Sequence, residues 1–475
     1  MQRATKIVAT IGPASSDVDT LTRMIHAGVD VVRLNFSHGK AQDHIDRAEL
    51  VRSIAADLGR EIAIMADLQG PKIRVGKFEN GRVQLVRGAQ FVLDAACELG
   101  NEQQVGLDYK DLPRDVRSGD ILLLNDGLIV LVVDKVTGTQ VHTTVRTGGE
   151  LSNNKGINRM GGGLTAAALT SKDMEDIKTA MRFQADYIAV SFPKNATDMM
   201  MARQLANIAG EEFQHKPQMI AKIERAEAIP ALQEILDASD GIMVARGDLA
   251  VEVGNAAVPA LQKRMIRMAR TSNKLAITAT QMMESMIQNP VPTRAEVSDV
   301  ANAVLDGADA VMLSGETSVG AHPIAAVRTM ERIIDAVESE HMPVPEVVRR
   351  SRSRSGAIVR AAKDVGEALD VKALATFTQT GETARRLSAL HPHQPLLAFT
   401  VDARVRSQLA LSWGVETFLV PEVSHTDDMV AQVDFSLLSI GRLNEGDQVV
   451  IVAGSPPNMA GTTNLVRVHE VGSEA

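Results

Sequence analysis

Short apolar runs alternate with stretches of helical period from the first residues of the chain onward. Runs at Lys6–Gly12, Val31–Phe36, Ile62–Leu68, Tyr187–Phe192, Met219–Glu224, Gly241–Arg246, Leu275–Gln281 and Ala310–Gly315 read as strands. Between them, Asp17–Ala27, His44–Leu58, Lys172–Phe183, Pro259–Ser272 and Thr293–Leu305 carry the three-to-four-residue spacing of amphipathic helices. Pro259 suits the first turn of its helix, where a missing N–H costs nothing. Gly28 and Gly307 stand where C-terminal caps belong. Strands that are apolar along their whole length, with helices between them, predict a parallel sheet covered on both faces. Eight such units close into a (β/α)8 barrel, expected over residues 1–70 and 156–340.

One gap breaks this rhythm. The third and fourth strands are separated by far more chain than a crossover helix needs. Residues 71–155 carry short β-like runs instead, at Val83–Val86, Phe91–Leu93, Ile121–Leu124, Leu128–Val133 and Gln140–Val145, with Gly, Asp and Asn turns between them. This reads as a small β-barrel domain inserted at the end of a strand, where it can act as a lid over a site. After Glu340 the basic, serine-rich run Arg349–Ser355 reads as a linker or subunit contact. Residues 355–475 alternate again, with helices expected at Gly356–Leu369, Thr383–Leu390, Arg404–Trp413 and Asp427–Leu438. The intervening strands, Ala373–Thr378, Leu396–Thr400, Glu416–Val420, Gln448–Ala453 and Asn464–Val471, predict an open α/β sheet.

Composition narrows the class. The chain has 475 residues, 45% hydrophobic but only 3% aromatic, so its core is aliphatic. Its formal charge of −9 argues against a nucleic-acid or anionic-membrane partner. An anionic ligand would need local cations. Cys97 is the single cysteine, which rules out an internal disulfide framework. No run approaches the roughly 20 apolar residues of a membrane span, and the first residues lack a secretory pattern. The expected compartment is the cytoplasm.

The polar residues at the strand ends carry the chemistry. Lys222 and Glu224 lie two apart, so in a strand they share a face. A lone K-x-E pair would be a surface ion pair, but the neighbouring ends repeat the theme: Arg33, Asn35, Ser37 and His38; Asp67, Lys72 and Arg74; Arg246, Gly247 and Asp248; Thr280 and Gln281; Ser314 and Glu316. In a barrel of this type, active sites form at that end. Arg33, Arg74 and Lys222 suit phosphate or carboxylate. Glu224 and Asp248 are few, hard oxygen donors, which suits Mg2+ or Mn2+ held in part by substrate. No phosphate-binding P-loop and no H-E-x-x-H occur. Gly161–Gly163 reads as a turn, and His391 and His393 stand apart from the other polar residues.

These residues also carry a resemblance. The stretches at 5–15, 33–38, 221–224, 243–249, 277–286 and 289–302 resemble the pyruvate kinase family, and the likeness extends over essentially the whole chain, on its K+-independent side. The resemblance implies phosphoryl transfer from phosphoenolpyruvate to ADP, giving pyruvate and ATP. It implies that Glu224 and Asp248 hold Mg2+, that Lys222 neutralises the phosphoryl group in flight, and that Arg33 binds that group. Gly247, Asp248 and Thr280 would line the pocket for carboxylate and enolate, with Thr280 helping to relay a proton. Asn35, His38, Arg74 and Lys155 would face the nucleotide phosphates, Arg74 counting among the catalytic residues as well. The K+ ligands of the family map to Asn35, Ser37, Asp67 and the carbonyl of Leu68. Where K+-requiring members have an acidic residue this chain has Lys72, so an ammonium is expected to serve that pocket and K+ is expected not to be required. The loop of Thr378, Thr380, Gly381 and Thr383 would hold a phosphorylated effector, and the family suggests a homotetramer. Two other readings explain part of the pattern: a metal-dependent aldolase acting on pyruvate, and an inactive metabolite-binding regulator. Neither accounts for the lid, Lys155 and the intact Lys222, Glu224, Asp248 and Thr280 together.

Overall fold

The structure is a computed structural model that describes residues 3–340, 342, 344–347, 353–457, 459 and 461–473. All eight expected barrel strands form, each ending one or two residues earlier than its apolar run. They span Lys6–Thr10, Val31–Asn35, Ala63–Asp67, Tyr187–Val190, Gln218–Ile223, Gly241–Ala245, Leu275–Ala279 and Ala310–Leu313. Each pairs in parallel with its sequence neighbours, and the first closes the ring against the eighth. The period of two sets which residues face inward. Val8, Val31, Met65, Ala189, Ile220, Met243, Ile277 and Met312 fill the interior. With so few aromatics, unbranched Met and branched Ile and Val do this filling. Two residues further on, the same inward face carries Thr10, Arg33, Asp67, Ser191 and Lys222. The apolar filling therefore ends in a polar layer at the C-terminal mouth, and the outward positions pack against the helices in the main core.

The helices begin where the caps dictate. Thr170 and Thr293 each form a reciprocal capping box, with Asp173 and Glu296. Asp17 caps the first helix, Val18–His26.

The insertion between Asp67 and Tyr187 is β throughout its sheet and has its own apolar core. Its six-stranded sheet runs in the order Ile157–Arg159, Ile121–Leu124, Ile129–Thr137, Gln140–Thr147, Gln90–Asp94, Gln104–Val105. Pieces of two to four residues, such as Lys77–Phe78, Leu99–Gly100 and Gly149–Ser152, are too short to carry a period that sequence alone exposes. The strand Ile157–Arg159 pairs with Ile121–Leu124, so the inserted sheet continues past residue 155. The two connecting segments run side by side: Arg74 bridges to Gly156, and the Val75 N–H donates to the Lys155 carbonyl at 2.9 Å.

The C-terminal unit is a five-stranded sheet ordered Val415–Leu419, Leu396–Thr400, Ala373–Phe377, Gln448–Gly454, Thr463–Glu470, with only the last strand antiparallel. The helix expected over Arg404–Trp413 forms only as Ala403–Gln408. The chain then turns so that Ala410 and Leu411 pack into the floor of the barrel, and this tertiary burial overrides the helical period. The linker reading falls largely on residues 348–352, outside the described residues; Ser353 already caps the helix Arg354–Ala368.

Candidate active site

The polar layer at the mouth is a compact network of alternating charge. Arg33 donates from Nε to Asp67 Oδ2 at 2.6 Å and from Nη1 to Thr10 Oγ1 at 3.0 Å. The Lys222 ammonium lies 2.7 Å from Ser191 Oγ, 3.0 Å from Asp67 Oδ1 and 3.1 Å from Glu224 Oε1. Ser191 in turn donates to the Leu68 carbonyl at 2.8 Å, and Glu224 Oε2 accepts the Phe192 N–H at 2.9 Å. Lys222 is 9% exposed and Glu224 2%, so these are desolvated charges and not surface pairs.

Burial and pairing pull the ionisation in opposite directions, and the winner differs by residue. Burial alone would lower the Lys222 pKa, but Asp67 and Glu224 outweigh it and raise the net value. Burial would raise Asp67, but Arg33 and Lys222 hold it below the usual carboxylate range. For Glu224 burial wins: its carboxyl is pushed up to about 7, because Lys222 is shared with Asp67 while Asp248 and Asp67 repel it. A cation bound at this carboxyl would displace its proton to solvent.

The next strand supplies the rest of the site. Helix Arg246–Val253 starts directly at the end of Gly241–Ala245, so Asp248 lies in its first turn. The Gly247 N–H donates to Thr280 Oγ1 at 2.8 Å, and that hydroxyl donates to the Ala279 carbonyl at 2.7 Å. Thr280 and Gln281 are both left-handed, with φ +66° and +54°. Glu224 and Asp248 have the hardness expected of Mg2+ ligands. Among the described residues no cluster of three His, Cys, Asp or Glu side chains makes a self-sufficient metal site. Two hard carboxylate donors fit an ion that does not take all its ligands from the protein.

Lys72 is placed differently from its expected position. Its Nζ lies 3.1 Å from Asp248 Oδ1, at one of the candidate Mg2+ ligands. In the expected monovalent-cation pocket, Asp67 is engaged by Arg33 and Lys222, the Leu68 carbonyl accepts from Ser191, and Asn35 Oδ1 accepts the Ser37 N–H at 3.1 Å. The cause is reach: Lys72 follows the Gly70 turn towards the mouth on a flexible stem, and Asp248 is the carboxylate it meets.

Arg74 does not join the Lys222 network. Its guanidinium donates to the Asn154 carbonyl at 3.1 Å, at the neck of the inserted domain. His38 is exposed and Lys155 half-buried. In the C-terminal unit Thr378 Oγ1 accepts the Gly381 N–H at 3.1 Å, and the Thr383 hydroxyl lies 2.8 Å from that of Thr463, at the start of helix Glu382–Ala389. Thr380 is exposed, and its carbonyl accepts from Arg385. Glu382 is neutralised by Arg386 at 2.8 Å. His391 stacks on Trp413 with ring centroids 4.0 Å apart, by the barrel floor and far from the mouth. Three partners lie outside the sequence reading: Ser191, Phe192 and Thr10. Ser191 could have been found as the polar residue ending the fourth strand. Phe192 acts through its backbone, which no side-chain pattern exposes.

A closed eight-stranded barrel whose mouth concentrates buried cations beside hard carboxylates has the form of a barrel enzyme acting on anions. Comparison with known proteins makes the class specific. A family model for the pyruvate kinase barrel domain matches residues 2–327, and one for the pyruvate kinase alpha/beta domain matches residues 356–469. The pyruvate kinase of Mycobacterium tuberculosis (strain H37Rv) is 50% identical over 475 residues, covering 100% of both chains. That of Corynebacterium glutamicum is 47% identical over 474 residues, covering 100% of this chain and 99% of its own. The crystal structure of a pyruvate kinase from Cryptosporidium parvum superposes with a TM-score of 0.91 at 32% identity, covering 99% of this chain and 96% of the other. The chain belongs to the pyruvate kinase family.

Proposed function

We propose that the barrel mouth carries out the reaction of this family, transfer of the phosphoryl group of phosphoenolpyruvate to ADP with release of pyruvate and ATP. The observation that carries the reading is the Lys222 ammonium, held between Asp67 and Glu224 and fixed by Ser191 in a buried layer. A cation so held is pre-organised for charge that develops during transfer, the form of stabilisation this chemistry chiefly needs. Arg33, pinned by Asp67 and Thr10, binds the phosphoryl group beside it. Gly247 and Asp248, at the helix start, and Thr280 line the pocket for carboxylate and enolate. The Thr280 hydroxyl helps move a proton to the enolate carbon. Asn35, His38, Arg74 and Lys155 face the nucleotide, the last two moving in with the inserted domain.

Glu224 and Asp248 would hold the Mg2+ that the family generally uses, or Mn2+, and when bound that ion neutralises charge on substrate oxygens. Lys72 now neutralises Asp248, so it leaves that carboxylate when the metal binds and becomes free to serve the pocket of Asn35, Ser37, Asp67 and Leu68. Turnover without K+ follows from this reading. The loop of Thr378, Thr380, Gly381 and Thr383 gathers hydroxyls, a left-handed glycine and a helix start, which supports a phosphorylated effector there. A cytoplasmic homotetramer matches the family pattern, and no helix among the described residues is long and apolar enough to cross a membrane. Incubation with phosphoenolpyruvate, ADP and Mg2+ tests the central claim. Formation of pyruvate and ATP in equal amounts supports it, and consumption of neither substrate removes it.

A further inference from the structure

We propose that Arg246 is a positioning residue for the proton-transfer step, because it clamps the strained turn that aims the Thr280 hydroxyl. The inference rests on the reading of Thr280 given above. Threonine is β-branched and is strongly disfavoured in the left-handed region, yet Thr280 has φ +66° and Gln281 follows at +54°. A pair of such residues persists only where the surroundings over-determine it. One guanidinium reaches both carbonyls of the turn. Arg246 Nη2 donates to the Thr280 carbonyl at 2.7 Å, and Nε donates to the same carbonyl at 3.2 Å and to the Ala279 carbonyl at 3.3 Å. Met282 Sδ lies 2.8 Å from Nη2. The other edge of the fork is anchored from behind: Nη1 lies 2.7 Å from Asp299 and 3.4 Å from Gln262 Oε1.

Arg246 is 8% exposed, and its side chain points away from the mouth towards helix Arg294–Leu305. It belongs to none of the groups that would touch substrate. Its neighbour Gly247 nevertheless gives its N–H to Thr280 Oγ1. The strained turn is thus fastened at its carbonyls by Arg246 and at its hydroxyl by the next residue of the same helix. Only a planar, multi-donor group can satisfy two successive carbonyls and a carboxylate at once, so lysine is not an equivalent replacement.

The test is Arg246→Lys, with Thr280→Ala and the double variant, each checked for folding by circular dichroism. Two quantities are read: steady-state kcat and KM for phosphoenolpyruvate, and deuterium exchange into the methyl group of pyruvate by NMR. The second isolates proton transfer from phosphoryl transfer. For Arg246→Lys the expected result is a loss of about tenfold or more in kcat and in exchange, as small misplacements cause, with KM within about twofold. The double variant is expected to be no slower than Thr280→Ala. Parental exchange in folded Arg246→Lys overturns the inference, as do single losses that multiply in the double variant. Parental exchange in Thr280→Ala instead identifies the underlying Thr280 reading as the failure. If Arg246→Lys does not fold, Asp299→Asn carries the test, since it loosens the clamp from its more exposed end. A fall in exchange of about threefold at unchanged KM supports the clamp, and parental exchange overturns it.

Discussion

Replacing Lys222 by methionine separates what its ammonium does for the fold from what it does for the reaction. The variant keeps most of the volume and removes three contacts: Ser191 at 2.7 Å, Asp67 at 3.0 Å and Glu224 at 3.1 Å. Stripping one partner from a buried pair costs about 3–5 kcal/mol where the remaining charge is left alone. Neither carboxylate is left fully alone. Asp67 keeps Arg33 at 2.6 Å. Glu224 already titrates at about 7, and without the nearby cation it takes up a proton at neutral pH. That proton uptake keeps the loss of stability within the ordinary range of single substitutions, about 0.5–3 kcal/mol. The catalytic loss is larger: a pre-organised group aimed at developing charge is worth ~3–4 kcal/mol, or about 10²–10³ in kcat. KM for phosphoenolpyruvate should move only a few-fold, because Arg33 still binds the phosphoryl group. Pyruvate formation at saturating substrate, alongside thermal unfolding, measures both. The pH dependence adds a signed check. A carboxyl raised in the folded state holds its proton where the unfolded chain has lost it, so metal-free stability falls as pH rises between about 4.5 and the folded pKa, by about 3 kcal/mol in the parent. In Lys222→Met that decline should extend to higher pH. A folded variant with kcat within threefold of the parent would refute the assignment of Lys222.

Four further outcomes are expected. Mn2+ binding without substrate should release about half a proton at pH 7 and more at pH 6, and weaken roughly tenfold from pH 8 to 6 as Glu224 must be deprotonated; calorimetry in buffers of different ionisation enthalpy reads this, and pH-independent affinity contradicts it. Gly70→Ala should cost about 1–3 kcal/mol and lower kcat, since its Cβ would lie 2.7 Å from Ser191 Cβ and 2.9 Å from Phe192 Cδ2 at a φ of +66°; an unchanged unfolding temperature counts against the close approach. The parent should turn over at most of its full rate in a tetramethylammonium buffer, and Lys72→Glu should need added KCl; a parent nearly inactive without K+ removes the role of Lys72. Thr383→Ala should abolish the response to sugar or nucleotide monophosphates that activate the parent, and an identical response in both proteins moves the effector site elsewhere.

The barrel is legible in the sequence because its strands are apolar runs and stretches of helical period recur between them. The mouth is legible for the same reason: a polar residue two positions beyond an inward-facing Val, Met or Ile must top the interior. Arg33 after Val31, Asp67 after Met65 and Lys222 after Ile220 all follow that rule, and so does Ser191 after Ala189. Three features resist such reading. Backbone donors such as the Phe192 N–H have no residue signature. The helix at Arg404 ends early because Leu411 finds the barrel floor, a contact made by a distant segment. Lys72 and Arg246 have long stems whose head groups land where charge and carbonyls await them, and sequence fixes the root of a side chain far better than its tip.

The distribution of charge at the mouth makes a stronger statement than its total. The chain carries a formal −9, yet Asp67 and Glu224 meet Arg33 and Lys222 in one network, and Asp248, close enough to repel Glu224, pairs with Lys72. Four of the six come from inward strand positions or the residue just beyond a strand, and they are held by neighbours that cannot move without opening the barrel. Asp248 is on the first turn of a helix, and Lys72 alone is on the segment entering the inserted domain. On the proposed reading a bound dication would displace the Glu224 proton and leave this region positive, which suits an anionic substrate. The mobile member of the balance is then the lysine on the lid side, because every other cation is fastened at two or more points. Of the three carboxylates, Asp248 is the one whose partner is not part of the barrel wall, so on the proposed reading it is the point at which metal binding and the position of the inserted domain would meet.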